Sequence, residues 1–131
     1  SIFVQPTLVK SGDLEAAVPM NYNLITFVGE TSDRMSFYGQ GAGRYPTAYN
    51  VVQDCVDILG GKGFYCAYGR KVPVDNTEKL CYYVRGEMDA WLTENAAENW
   101  NGAVLTKPVS VCDMHAWLKA HPGAFIAAMN P

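Results

Sequence analysis

Hydrophobic positions recur with three different periods along this chain, and the changes of period mark its elements. Residues 22–28, YNLITFV, form a run rich in β-branched and aromatic types that closes at Gly29-Glu30. Residues 34–38, RMSFY, follow within six residues and alternate polar with apolar, so the two segments are predicted to pair as an antiparallel hairpin. Upstream, residues 2–9, IFVQPTLV, also read as a strand, but Pro6 cannot donate to a ladder, which predicts an edge position or a bulge. Ser11-Gly-Asp13 supplies turn chemistry, and a short Leu14 to Val18 segment ends at Pro19. Beyond residue 43 the period lengthens. Ala48, Val51, Val52, Cys55, Val56 and Leu59 recur at intervals of three and four and line one face of a helix, with Pro46 in its first turn, Thr47 as cap and Gly60-Gly61 as stop.

Residues 60–78, GGKGFYCAYGRKVPVDNTE, break the pattern with glycines, a proline and polar residues, and read as a linker with a boundary near residue 76. The remainder is predicted to run strand (79–85), helix (89–98, with Asp89 as N-cap), strand (103–106), helix and strand (124–129). Ser110-Val-Cys-Asp113 opens the second of these helices, which carries Val111, Met114, Trp117 and Leu118. The expected fold class is therefore α+β: an antiparallel or mixed sheet with a helix, then a small βαβαβ sandwich. The expected domains are residues 1–62 and 79–131, joined by a linker over 63–78.

Composition narrows the function classes. At 131 residues, 49% apolar and 18% charged, the chain suits one ordinary domain or two small ones and carries no signature of disorder. A net charge of −3 with ten scattered Lys and Arg residues offers no basic stripe, which argues against nucleic acid as a partner. Cys55, Cys66, Cys81 and Cys112 match neither a CxxC zinc pair nor a dense disulfide framework, so buried free thiols in a reducing cytoplasm are expected. No apolar stretch approaches the roughly 18 to 20 residues that span a bilayer, and SIFVQPTLVK lacks a basic segment ahead of an apolar one, so no membrane association or export is expected. The strand-like residues Ile2, Phe3 and Val4 at the very start predict a section of a longer chain.

The candidate chemistry centres on SFYGQGAGRYPTAYNVVQD, residues 36–54. A glycine-rich turn between strand and helix brings backbone N–H groups close to a phosphate beside a positive helix end. The spacing here is Gly39-x-Gly41-x-Gly43 rather than G-x-G-x-x-G, so a phosphate cradle and a structural turn both stand as readings of the motif alone. His115 and His121 lie six apart and face different directions on one helix, which suits surface or capping roles and no shared metal. Asp54 and Asp57 are read as solvated charges opposite the apolar stripe, and Trp91 and Trp117 as core.

Residues 3–59 as a whole resemble the later part of the catalytic domain of homoserine dehydrogenases. The resemblance rests on Pro6-Thr7-Leu8, Leu14-Glu-Ala-Ala-Val18, Asn23 before an apolar strand, Phe37-Tyr-Gly-Gln-Gly-Ala-Gly43, Pro46-Thr-Ala48, and Val51, Val52 and Asp54. It implies an NAD- or NADP-dependent oxidoreductase that interconverts L-aspartate 4-semialdehyde and L-homoserine in threonine and methionine biosynthesis. In that family an N-terminal Rossmann domain and an acidic, lysine-bearing segment do the chemistry, and neither pattern occurs in these 131 residues. Lys10, in the segment after Pro6-Thr-Leu, does not replace that lysine. No catalytic residue is therefore expected in this section, which should be inactive alone and should not hold the cofactor tightly.

What the resemblance does carry over is the cofactor edge of the interdomain cleft: Gly41, Ala42 and Gly43. The chain departs from the family's usual pattern at Tyr49-Asn50, where small residues are commoner, and at Arg44-Tyr45. Residues 79–131 resemble a shortened ACT-type regulatory domain, with Tyr82-Tyr-Val-Arg85 as its first strand and Ala103 to Ala128 as its last β-α-β, although Gly86-Glu-Met-Asp89 replaces the usual D-x-P-G turn. The implied partners are a second copy in a homo-oligomer, the substrate of the full enzyme and an amino-acid effector. The alternative reading is a non-catalytic module that senses an amino acid or dimerises.

Overall fold

The structure, a computed structural model, describes residues 1–63 and 73–129. Among these, residues 1–10 join 73–129 in one compact unit, and residues 11–63 form another. That division differs from the one expected from sequence, because the first ten residues join the C-terminal unit. Most of the expected linker, including Cys66, lies outside the described residues.

In the unit of residues 11–63, β2 (Tyr22–Gly29) pairs antiparallel with β3 (Asp33–Gln40), from Tyr22↔Gln40 to Gly29↔Asp33. The three residues between Gly29 and Asp33 make the turn, and Asp33 takes the left-handed conformation at φ 54°. Alternation sends Ile25, Phe27, Met35 and Phe37 to one exposed face, where the rings of Phe27 and Phe37 meet edge to face at 5.9 Å. Leu14–Ala17 forms a single 3-10 turn, whose Glu15 pairs with Arg34 of β3.

The helix α1 (Arg44–Leu59) begins at Arg44, ahead of the expected Thr47 cap, and its cap is Gly43. The early start is tolerated because Pro46 sits at the third helical position, where its missing N–H would have no intrahelical partner anyway. The helix ends as expected, at Gly60-Gly61. Gly61 (φ 74°) donates to Ile58 at 3.0 Å and Lys62 donates to Asp57 at 2.8 Å, a Schellman pair that requires a residue at ease with positive φ. The apolar stripe of α1 is not buried. Val51, Val52 and Val56 are all exposed, because a two-stranded hairpin and one helix offer too little surface to cover it.

The other unit is built on a five-stranded sheet in the order β1-β9-β5-β7-β6. Its strands are β1 (Thr7–Leu8), β5 (Tyr82–Arg85), β6 (Ala96–Trp100), β7 (Ala103–Thr106) and β9 (Phe125–Met129). Beside it, β4 (Lys79–Leu80) and β8 (Val109–Ser110) form a short antiparallel ladder. Two helices complete the unit, α2 (Ala90–Asn95) and α3 (Val111–Ala120).

Apart from β8, which pairs with β4 outside the sheet, the order from β5 to β9 is β-α-β-β-α-β with antiparallel neighbours throughout, which is the ferredoxin-like arrangement. The βαβαβ expectation is thus corrected by one strand. Residues expected to continue the helix past Asn95 instead form β6, which pairs with β7 through the turn at Asn101-Gly102, both at positive φ. Only Thr7 and Leu8 of the expected first strand join a ladder, parallel to β9, and the Pro6 carbonyl accepts from Ala128 N–H at 2.9 Å.

The core lies between one sheet face and both helices. Tyr82, Val84, Val104, Ile126 and Ala128 pack against Leu92, Met114 and Trp117, all of them buried. Both predicted caps form: Asp89 Oδ1 accepts from Leu92 N–H at 2.7 Å, and Ser110 Oγ accepts from Asp113 N–H at 3.0 Å. The cysteine expectation fails in part. Cys55, Cys81 and Cys112 are free, but Cys55 and Cys112 are exposed.

Candidate functional site

The glycine turn connects β3 to α1, and asparagine side chains from the start of β2 hold it. Asn21 Nδ2 donates to the Ala42 carbonyl at 2.8 Å. Gly41 lies so close to Asn23 that a Cβ there would fall 1.7 Å from Asn23 Nδ2. Gly43 has φ 114° and ψ 163°, a region open essentially to glycine alone, and its carbonyl accepts the first helical bond, from Thr47 N–H at 3.2 Å. A Cβ at Gly41 meets only the exposed Asn23 side chain, which can turn away, so Gly43 alone is required by geometry. Gly39, where an added Cβ meets nothing within 4 Å, is not.

No side chain caps α1, so the N–H groups of Arg44 and Tyr45 stay free of intrahelical partners at the positive end of a 16-residue helix. Arg44 adds a cation beside the turn, its guanidinium 5.6 Å from the Tyr45 ring centroid. Next to the turn, Asn23, Ile25, Phe37, Tyr38, Gly39, Gln40 and Gly41 line a shallow pocket of about 280 Å³. Its wall is fixed by Tyr22, which stacks on Tyr38 at 4.9 Å and accepts from Gln40 Nε2 at 3.0 Å. The arrangement is a bare backbone loop beside an apolar slot, with donors and positive potential at one end. It suits close approach of a polar, anionic group on a flat molecule.

The sequence of this segment has relatives. Residues 1–56 match the sequence model of the family described as homoserine dehydrogenase. This match is confined to the first part of the chain. The homoserine dehydrogenase of Bacillus subtilis is 40% identical over 58 residues, which is 44% of this chain and 13% of the relative. The enzyme of Synechocystis is 40% identical over 57 residues, again 44% and 13%. That of Corynebacterium glutamicum is 35% identical over 74 residues, 56% of this chain and 16% of the relative. The chain thus spans about an eighth of the length of the curated homoserine dehydrogenases it matches. No solved structure matches it.

The other residues singled out from the sequence are dispersed. His115 Nε2 bonds Gln5 Oε1 at 2.9 Å, and the Tyr82 hydroxyl donates to the same oxygen at 3.2 Å. Burial pushes the Tyr82 phenol above its ordinary value. His121 stacks on Trp117 at 4.3 Å, and its Nδ1 bonds the Trp117 carbonyl at 2.9 Å. Asp57 accepts from Gln53 at 3.0 Å and from Lys62 at 3.1 Å at the surface. Trp91 stacks on Trp117 at 6.1 Å beside the core, as expected.

One network was not foreseen from the sequence. Asp89 caps α2 with one oxygen and with the other accepts from Trp117 Nε1 at 2.9 Å, with His121 Nε2 at 3.4 Å. The Leu92 N–H first, then the Trp117 indole and His121, hold this carboxyl below its ordinary value. The capping role was legible in the sequence. The long-range bonds were not, because they depend on the packing of α2 against α3.

Proposed function

We propose that the chain works as a C-terminal section of a homoserine dehydrogenase. In this reading Gly41, Ala42 and Gly43 stand at the cofactor edge of a cleft whose Rossmann wall and proton-transferring residues belong to other segments of the enzyme. The observation that carries it is the constrained glycine turn: Gly43 adopts a backbone conformation open essentially to glycine, Asn21 holds the Ala42 carbonyl, and the turn lies within the residues that match the family. In this reading the cofactor domain and the proton-transferring residues lie elsewhere in the enzyme, so the 131 residues should not transfer hydride alone. NAD or NADP would supply the hydride chemistry, and the protein's part here is to offer uncapped N–H groups and a loop without side chains. Cys55, Cys81 and Cys112, free among the described residues, fit the reducing cytoplasm that the same reading implies.

Co-expression tests this reading. The chain is supplied in trans to the Bacillus subtilis homoserine dehydrogenase from which the matching segment has been removed, and homoserine-dependent NADP reduction is measured. Recovery of activity is expected, with Gly43→Ala lowering it. Failure, where the relative's own segment supplied in the same way succeeds, would overturn the proposal.

A second reading applies to residues 79–131, an ACT-like module that binds an amino-acid effector. The β-α-β-β-α-β order, complete in six elements, is the observation that favours it. Calorimetry with threonine, methionine and lysine tests it, and heat-silent titrations with all three would count against it.

A further inference from the structure

The sheet of the C-terminal unit buries one face under its helices and leaves the other open. Register places the side chains of the open face in rows. Phe125, Arg85, Ala103 and Trp100 lie in one row, Ala127, Tyr83, Leu105 and Glu98 in the next, and Met129 with Leu8 beyond. A bulge between Ala96 and Glu98 sets this pattern: Ala96 packs on the core side, and Glu98, two residues later, falls on the open side. Tyr83 and Trp100 meet edge to face at 6.5 Å and cover Ala103, which is 3% exposed. Around them Trp100 is 56% exposed, Phe125 48%, Leu8 47% and Met129 37%. This is a contiguous apolar patch interrupted by one cation and one anion, neither of which has an ion-pair partner among the described residues.

The spacing of those two charges identifies the occupant. Arg85 on β5 and Glu98 on β6 are separated by β7 and offset by one row, roughly 12 Å apart from ordinary strand spacings, too far to pair within one copy. A two-fold axis through the midpoint between them, near Tyr83 and Leu105, brings Arg85 of each copy onto Glu98 of the other. One symmetric contact then satisfies both charges twice and covers the aromatic patch. Edge pairing is the poorer alternative. One edge is the two-residue β1 and the other is the bulged β6, so neither offers a long regular ladder.

We infer that this open face is a self-association surface, on which a second copy of the chain packs face to face with reciprocal Arg85–Glu98 pairs. The inference does not depend on the dehydrogenase reading. The patch is roughly 20 Å by 15 Å from strand spacings, below the size of a stable interface, so association is expected to be weak.

The test is sedimentation equilibrium of the full chain and three variants, with circular dichroism confirming that each is folded. Arg85→Glu and Glu98→Arg each place like charges opposite one another twice and should weaken dimerisation about tenfold. The double variant Arg85→Glu/Glu98→Arg restores opposite charges and should return the dissociation constant to within about threefold of the parent. The proposal is overturned if the parent is monomeric at a few hundred micromolar. It is equally overturned if both single reversals leave association unchanged, as pairing through the exposed hairpin face would, or if the double variant fails to recover.

Discussion

Thr106→Val replaces the hydroxyl of a buried side chain with a methyl of nearly the same shape. Thr106 is 3% exposed and its Oγ1 accepts from the backbone N–H of Tyr82 at 2.9 Å, at a residue that is itself 0% exposed. Valine leaves that N–H desolvated and unpaired, a cost of about 1–3 kcal/mol, partly offset by the added apolar contact. A net loss of about 2 kcal/mol is expected. Thr106→Ser keeps the acceptor and loses one buried methyl, about 1 kcal/mol including the small void. Urea unfolding followed by tryptophan fluorescence reads this cleanly, because Trp91, Trp100 and Trp117 all belong to the C-terminal unit and the unit of residues 11–63 is silent. With a slope of about 1 kcal/mol per molar urea for so small a unit, valine should lower the midpoint by roughly 2 M and serine by roughly 1 M. Native-state exchange should show the Tyr82 amide losing protection in the valine variant alone. Serine more damaging than valine would refute the reasoning, since shape rather than the hydrogen bond would then govern the site.

Three further outcomes follow from the geometry. Gly86→Ala puts a Cβ 2.8 Å from Ala124 Cβ and 3.5 Å from the Trp117 ring, so it should destabilise the same unit by about 1–3 kcal/mol. Adding Ala124→Gly should recover part of that loss, and a merely additive double variant would show that the contact is not the cause. The Asp89 carboxyl is depressed from 3.8, so its stabilisation is present above that value and lost as pH falls through the lower folded value. The advantage of the parent over Asp89→Asn in urea should accordingly shrink in acid, and a pH-independent difference would exclude the charge as its source. Gly43→Ala forces a Cβ into φ 114°, a strain of about 1–3 kcal/mol, and should raise amide exchange through the first turn of α1 while leaving β5 and β9 unchanged.

Where local chemistry decides, the sequence could be read directly. The hairpin register follows from alternation, the ends of α1 and α3 from Gly60-Gly61 and Ser110, and the Asp89 cap from a carboxylate one residue before a helix. The reading went astray where local preference was neutral. Residues 96–100, AAENW, contain good helix formers, yet they pair with β7 because the Asn101-Gly102 turn folds them back and the sheet needs a strand beyond β7. The candidate site divided in the same way. The glycines were visible, whereas the approach of Gly41 to Asn23, 18 residues away in sequence, arises only once the hairpin has formed.

By itself, then, the sequence determined the α+β class, the positions of most elements, and the kinship of residues 1–56 with homoserine dehydrogenases, because periodicity, caps and motif strings are properties of neighbouring residues. Tertiary structure alone decided that residues 1–10 complete the sheet of the C-terminal unit, that the apolar stripe of α1 is left exposed, and that Arg85 and Glu98 share one open face. Those outcomes depend on which strand finds which partner across distances of up to 121 residues, and such pairings are settled by packing of the whole unit rather than by the preferences of any one segment.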